Sequence, residues 1–294
     1  MNQTASIKPY IMAVLAMFFW GMSYVWIKIA YQYIGPFSTV FLRLSLSIII
    51  MVAVASISRI KIFPHKVDLK AFLLLAFFEP FAYFMGESLG MMRVSSSVAS
   101  IMIGTIPLFI PIFAYYILKE KINKNIIIGL IISFLGILIL IFKKDFSFAA
   151  SPSGILLMLV AVIAGALYTI QLKKLSSKYH PATIIINMNI IGLVYFMPFF
   201  LYYEWSDFVN VEPNFELIKA ILQLVIFASL GALYLFISAV EKIGVTKTAM
   251  FTNLIPVITA IGAWIILPDE QLDLKLAIGI IVVIFGVFVG QRKK

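Results

Sequence analysis

Long runs of apolar residues dominate the chain, and short polar breaks separate them. A helix that crosses a bilayer needs about 20 mostly apolar residues, and ten segments reach or approach that length. The pattern therefore predicts ten transmembrane helices, at residues 10–30, 37–57, 70–92, 94–118, 125–142, 154–172, 181–203, 217–240, 245–267 and 274–290. Turn signals such as Gly35-Pro36 and Pro268-Asp269 mark the breaks. We therefore predict an all-α membrane protein.

The composition supports a membrane environment and excludes several kinds of chemistry. Apolar residues make up 63% of the chain and charged residues 12%, whereas about 25% of a soluble domain is charged. The net charge of +10 indicates a membrane charge bias rather than a nucleic-acid partner. There is no cysteine, and the two histidines, His65 and His180, fall in predicted loops. We therefore expect no metal site, no cofactor and no enzymatic activity, since nucleotide-binding and hydrolase motifs are also absent.

The distribution of basic residues predicts the orientation. With the N-terminus in the cytoplasm and ten alternating spans, sixteen of the 23 lysines and arginines lie in cytoplasmic segments and five in outer segments. This bias follows the positive-inside rule. Both termini are therefore predicted to be cytoplasmic. We expect a multi-pass protein of the plasma membrane, a bacterial inner membrane, with the lipid bilayer as its surroundings.

The two halves of the chain resemble each other. Residues 106–118 read IPLFIPIFAYYIL and residues 255–267 read IPVITAIGAWIIL, and each stretch leads into an acidic turn and a glycine-spaced apolar span. The period corresponds to five spans, which is an odd number, so the second copy must enter the membrane in the opposite orientation. The sequence thus predicts two inverted five-helix repeats, residues 1–147 and 148–294. Transporters built in this way bind their substrates near the bilayer midplane, where the repeats meet.

Two stretches of the first half, FFWGMSYVWIK and PFSTVFLRLSLS, resemble the EamA family of the drug/metabolite transporter superfamily. The resemblance covers nearly the whole chain as two five-helix units. It implies a ten-helix fold, a central cavity, and efflux or exchange of small metabolites, often amino acids or related compounds. The second copy departs from this pattern, because Ala164-Gly165 replaces Trp20-Gly21 and no arginine matches Arg43.

Two glutamates lie within the predicted third span. A charge at the bilayer centre costs about 2.5–3.5 kcal/mol on insertion scales. A glutamate at mid-depth, such as Glu79, is therefore expected to have a functional or a structural role. Pro80 removes a backbone hydrogen bond beside it, and Tyr83 and Glu87 follow on the same helical stripe. Glu79 is predicted to bind a substrate ammonium group or, like Glu87, to couple transport to a proton. The alternative is a structural ion pair with Lys28 or Arg43.

Other polar residues within spans are candidates for the cavity wall. Arg43 is predicted to bind a substrate carboxylate, or alternatively to pair with one of the two glutamates. The remaining candidates share a polar group at span depth, with helix packing as the alternative: Trp20, Tyr24, Tyr168, Gln171, Asn187, Asn189, Tyr234 and Asn253. Pro80, Pro107 and Pro256 are predicted to kink their helices.

Together these features predict a secondary transporter of small metabolites, an exporter or exchanger of amino acids or related compounds that works by alternating access. Without an ATP-binding motif, the driving force is a gradient. Two other functions stay open at this point: a channel, and a membrane-embedded enzyme acting on a lipid.

Overall fold

A computed structural model describes residues 7–118, 124–141 and 150–291 of the chain, and the regular structure within them is helical, without strands. These residues contain the following ten long helices, named in chain order: α1 (Lys8–Ala30), α2 (Pro36–Ile57), α3 (Lys66–Met91), α4 (Ser96–Ile117), α5 (Lys124–Ile141), α6 (Pro152–Ser176), α7 (Pro181–Tyr203), α8 (Phe215–Ile243), α9 (Lys247–Ile266) and α10 (Leu274–Gln291).

Eight of the described helices are long and apolar enough to cross a membrane. The apolar stretches of α5 and α10 are shorter, at Lys124–Ile139 and Leu274–Gly290. The prediction of a multi-pass, all-helical protein is therefore confirmed for eight spans, and ten membrane helices remain a prediction. The basic residues counted at positions 119–121, 143–144 and 292–294 lie outside the described residues.

Proline and polar caps explain where several helices begin. Helices α2, α6 and α7 each start with a proline, which has no N–H group to leave unsatisfied. Before α6, Ser151 Oγ accepts a hydrogen bond from the Gly154 N–H group. Before α8, Asn214 Oδ1 accepts from the Leu217 N–H group at 2.9 Å. The cap residue of α2, Gly35, has no side chain that could do the same.

Four helices are interrupted, three of them near the middle of their length. Helix α3 contains a π-helical stretch, Phe77–Ala82, in which Glu79 has an extended backbone with φ −144° and ψ 123°. Helix α8 contains a second π-helical stretch, Leu224–Ala232. Helix α4 breaks at Thr105, and α9 includes a 3₁₀ turn, Met250–Asn253. The prolines predicted to kink helices lie at or just after three of these breaks, whereas the π-helical stretch of α8 contains no proline.

The two halves of the chain are packed against each other. Helix α1 packs on α8 and α9, α3 and α4 pack on α6, α2 packs on α7, and α5 packs on α10. Gly86 of α3 allows an especially close approach to α6. A Cβ atom at this position would lie 2.5 Å from the Leu157 carbonyl oxygen and 2.7 Å from the Ala161 nitrogen. This contact fixes the position of α3 and of the glutamates it carries.

The loops define two opposite faces. One face carries residues 31–35, 92–95, 204–214 and 267–273, and we call it the acidic face because Glu204, Asp207, Glu212, Asp269, Glu270 and Asp273 lie there. The other, here the basic face, carries residues 58–65 and 177–180. On the basic face Lys178 Nζ lies 3.1 Å from Asp68 Oδ1. The Tyr179 hydroxyl donates to Asp68 Oδ2 at 2.7 Å.

We expect Gly86→Ala to lower the apparent midpoint of thermal unfolding of the detergent-solubilised protein. The added methyl group meets backbone atoms of α6, and overpacking of this kind typically costs about 1–3 kcal/mol. Leu74→Ile on the same helix is the matched control, since Leu74 is 44% exposed on the outer surface. Equal midpoints for the two variants would contradict the close α3–α6 contact.

Candidate functional site

A cavity lies at mid-depth between the two halves, and its volume is about 70 Å³. Seven helices line it: α1, α2, α3, α4, α6, α8 and α9. The lining combines polar groups with aromatic and aliphatic side chains. Its polar and aromatic members are Trp20, Ser23, Tyr24, Arg43, Glu79, Tyr83, Phe84, Glu87, Tyr168, Thr169, Ser229, Phe236 and Thr252.

Arg43 and Glu87 form a buried ion pair in the cavity wall. Both side chains are 5% exposed, and an Arg43 terminal nitrogen lies 3.9 Å from Glu87 Oε2. Arg43 Nε also donates to Ser229 Oγ of α8 at 3.2 Å. Its guanidinium carbon lies 4.4 Å from the centre of the Phe84 ring. The charge of Arg43 is thus satisfied by groups from both halves of the chain, as a buried charge requires.

Two tyrosines extend this polar network towards α1. The Tyr83 hydroxyl donates to Glu87 Oε1 at 2.9 Å. The Tyr24 and Tyr83 hydroxyl oxygens lie 3.3 Å apart. The network therefore connects α1, α2, α3 and α8 in one layer. Hydrogen-bonded networks of buried groups hold their members in one arrangement, and this layer forms one wall of the cavity.

Glu79 differs from Glu87 because it forms no hydrogen bond or ion pair with another described residue. Glu79 lines the cavity. The Tyr168 hydroxyl of α6 is also buried without a hydrogen-bond partner among the described residues, and it lines the same cavity. Buried polar groups are normally hydrogen-bonded. A carboxyl and a hydroxyl group are therefore open to a ligand, to water or, for Glu79, to a proton.

Aromatic rings form much of the remaining wall. The Trp20 and Phe236 rings pack with their centres 5.0 Å apart, and Tyr24, Tyr83, Phe84 and Tyr168 add further rings. Aromatic faces attract cations within about 6 Å. The cavity can therefore hold a positively charged or amphipathic group beside the Glu79 carboxyl.

The structure brings together seven of the predicted site residues and leaves five outside the cavity lining. The lining contains Glu79, Glu87, Tyr83, Arg43, Trp20, Tyr24 and Tyr168, whereas it does not contain Gln171, Asn187, Asn189, Tyr234 or Asn253.

The residues outside the cavity have other surroundings. The Asn187 amide donates to the Ile62 and Thr183 carbonyl oxygens, each at 2.7 Å, and so holds the loop at the basic face. Tyr234 lies beside His180, with ring centres 6.0 Å apart, in a separate lateral groove. Asn189 and Asn253 are each left with one buried polar atom that has no described partner.

Two alternatives raised by the sequence are resolved by these contacts. Lys28 does not pair with Glu79, since its ammonium group donates to the Met91 and Val94 carbonyl oxygens at 2.6 and 2.8 Å. Arg43 pairs with Glu87 and not with Glu79. A further cavity residue, Ser229, was not predicted. It lies in the π-helical stretch of α8, whereas Glu79 lies in the π-helical stretch of α3.

Comparisons with known proteins agree with this architecture. A model of the EamA-like transporter family matches residues 7–142 and again residues 152–290. A transporter of Archaeoglobus fulgidus, itself uncharacterized, is 28% identical over 288 residues, which cover 98% of this chain and 100% of the relative. The uncharacterized transporter YetK of Bacillus subtilis is 29% identical over 232 residues, or 78% of this chain and 70% of YetK. A solved crystal structure covers 96% of this chain and 95% of its own at a TM-score of 0.71 and 14% identity, which shows the fold alone.

A cavity between helices that are long enough to cross a membrane is an arrangement that transport proteins use. The chain belongs to the EamA-like transporter family, since the family model matches almost its whole length, and through it to the drug/metabolite transporter superfamily. The resemblance seen in the sequence is confirmed. The protein is a multi-pass membrane transporter of a small-molecule substrate rather than an enzyme.

We expect Glu87→Gln to be far more destabilising than Glu79→Gln. Removing Glu87 leaves Arg43 without its charge partner in the protein interior, and breaking such a pair costs about 3–5 kcal/mol. Glu79 has no partner to lose. The measurement is the apparent midpoint of thermal unfolding of each variant beside the wild type. Equal shifts for the two variants would contradict the distinct surroundings of the two carboxyl groups.

Proposed function

We propose that the protein is a secondary transporter of small metabolites that carry an amino group, such as amino acids or related compounds, and that it works by alternating access. The observation that carries this proposal is the Glu79 carboxyl group, which lines the central cavity without a hydrogen-bond or ion-pair partner among the described residues. An ammonium group is the natural complement of such a carboxylate, and the aromatic walls favour the same charge.

Reciprocal contacts between the halves support an inverted repeat of two five-helix units, residues 1–147 and 148–294. If α1–α5 correspond to α6–α10, the packing of α1 on α8 has its counterpart in α6 on α3, and α1 on α9 in α6 on α4. The family model also matches the chain twice. The breaks fall in corresponding helices, α3 with α8 and α4 with α9. In this proposal all ten helices cross the plasma membrane, and both termini are cytoplasmic.

The charge distribution supports a cytoplasmic basic face, in keeping with the positive-inside rule. The cavity lining comes about equally near to both faces. Glu87 lies four residues before Met91, the last residue of α3 at the acidic face, and Ala249 lies four residues after Val245, the first helical residue at the basic face. The direction, export or exchange, is proposed from the family resemblance.

Within the cavity, Arg43 and Glu79 have different roles. The Arg43 charge is balanced by Glu87, so the pair shapes the wall and orients Tyr83. Glu79 is free to bind an ammonium group or a proton. Because one carboxylate cannot hold both at once, competition at Glu79 would exchange the solute for a proton, which is a direct means of coupling transport to a proton gradient. The Tyr168 hydroxyl supplies a neutral hydrogen-bonding group in the same cavity.

We expect Glu79→Gln to reduce the transport of amine-bearing solutes at least about tenfold, since a bond to a charged group is worth about 1.5–3 kcal/mol. The test is uptake by proteoliposomes of radiolabelled amino acids and related metabolites, with and without a proton gradient. Glu216→Gln is the matched control, because Glu216 is exposed at the start of α8, away from the cavity, and lies 3.7 Å from the ammonium group of the exposed Lys219. Wild-type rates in Glu79→Gln at every pH would refute the role of Glu79.

A further inference from the structure

Two carboxylates on the acidic face bind helix ends that belong to the other half of the chain. Glu204 follows α7 and reaches the start of α2. Its Oε1 atom accepts a hydrogen bond from the Phe37 N–H group at 3.1 Å. Its Oε2 atom accepts from the N–H and the hydroxyl groups of Ser38, each at 2.7 Å. Three donors of one helix end thus converge on one carboxylate.

Glu270, in the loop between α9 and α10, binds the start of α4 in the same manner. Its Oε1 atom accepts from the Ser96 N–H group at 2.6 Å. Its Oε2 atom accepts from the N–H and hydroxyl groups of Ser97, at 3.2 and 2.9 Å. Both serines are buried.

The local sequence leaves the start of α2 dependent on Glu204, whereas at the start of α4 Ser95 Oγ already accepts a hydrogen bond from the Val98 N–H group at 3.2 Å. The first N–H groups of a helix have no partner within the helix and carry a partial positive charge. At α2 the cap residue is Gly35, which has no side chain to accept a bond. A Cβ atom there would collide with the carboxyl group of Glu204, so glycine both creates the need for an outside acceptor and makes room for it.

Both contacts cross from the second half to the first, and both end on helices that line the cavity. Helix α2 carries Arg43, and α4 contributes Ile103 and Ile106 to the wall. An alternating-access transporter must separate its halves on one face while they close on the other. On the acidic face this separation would pull Glu204 away from α2 and Glu270 away from α4.

We propose that Glu204 and Glu270 are gating residues, a pair of carboxylate clamps that hold the acidic face closed and must release before the cavity opens there. The clamps rest on the proposed alternating-access transport. The new element is that two residues set the balance between the closed and the open form of the transporter. Both residues lie outside the cavity and do not contact the solute.

Asp273 provides an internal contrast on the same face. Its Oδ1 atom accepts from the Leu276 N–H group at 2.6 Å, so it caps its own helix, α10. This carboxylate shares the location and the capping chemistry of the clamps but joins no two halves. Its removal therefore measures the effect of losing an acidic cap alone.

The test measures distances between spin labels by pulsed electron paramagnetic resonance. The chain contains no cysteine, so labelled pairs can be placed in the native sequence. Met92→Cys with Glu212→Cys spans the acidic face, and Val67→Cys with Lys242→Cys spans the basic face. All four positions are exposed. Each pair is measured in nanodiscs without solute, in the wild type, in the Glu204→Gln/Glu270→Gln double variant and in Asp273→Asn.

Glutamine keeps the shape of glutamate but loses the charge and directs an NH₂ group at backbone donors. We expect the double variant to raise the ratio of long to short distances across the acidic face at least about tenfold, with shorter distances across the basic face. Asp273→Asn should match the wild type. Each single variant should raise the ratio of long to short distances by a smaller factor than the double variant. If the double variant does not fold, the single variants still provide the test.

The proposal is wrong if the folded variants show unchanged distances across the acidic face. It is also wrong if the distances across the acidic face change and those across the basic face do not. Because no solute is present, this result is independent of transport. If the distances shift as expected but the protein moves no solute in proteoliposomes, the gating role of Glu204 and Glu270 is supported and the proposed transport function is refuted.

Discussion

The cost of burying charge in a membrane protein controls the arrangement of this chain. A guanidinium group at span depth is tolerated only with partners, and Arg43 obtains them from α3 and from α8, that is, from both halves. Glu87 is satisfied in turn by Arg43 and by the Tyr83 hydroxyl group. The positions of α2 and α3 in the first half and of α8 in the second half are therefore coupled through Arg43. In the part of the chain that the structure describes, Glu79 stays outside the resulting polar layer and has no hydrogen-bond or ion-pair partner.

Interrupted helices make this layer possible. A regular helix satisfies its own backbone and presents side chains at fixed angles, whereas a π-helical stretch redirects them and is frequent at functional sites. Glu79 and Ser229 both lie in such stretches, one in each half. The breaks in α4 and α9 lie beside the same cavity. The irregular stretches of the helices thus lie where the two halves meet. The capping contacts between the halves lie at regular helix ends on the acidic face.

The sequence was sufficient to predict the helices and the central acids, because apolar length and buried charge are local signals. Glu79, Arg43 and Trp20 stood out as costly groups at span depth, and all three line the cavity. Amide side chains were less informative. Asn187 faces a loop carbonyl at the basic face rather than the cavity, and helical spacing alone does not reveal which side of a helix meets the other half. The sequence does not identify Ser229, because burying a single serine in an apolar span costs little free energy and gives no signal comparable to a buried charge.

The central claim is that the open carboxyl group of Glu79 lies in a cavity that carries solutes by alternating access. Solute counterflow tests it most directly. Proteoliposomes loaded with an unlabelled amine-bearing solute are placed in a trace of the same solute in labelled form. The account predicts that the label accumulates transiently inside above its outside concentration, with saturation at high solute. Label that only equilibrates, at a rate proportional to concentration and independent of the internal load, would indicate a channel and contradict the account.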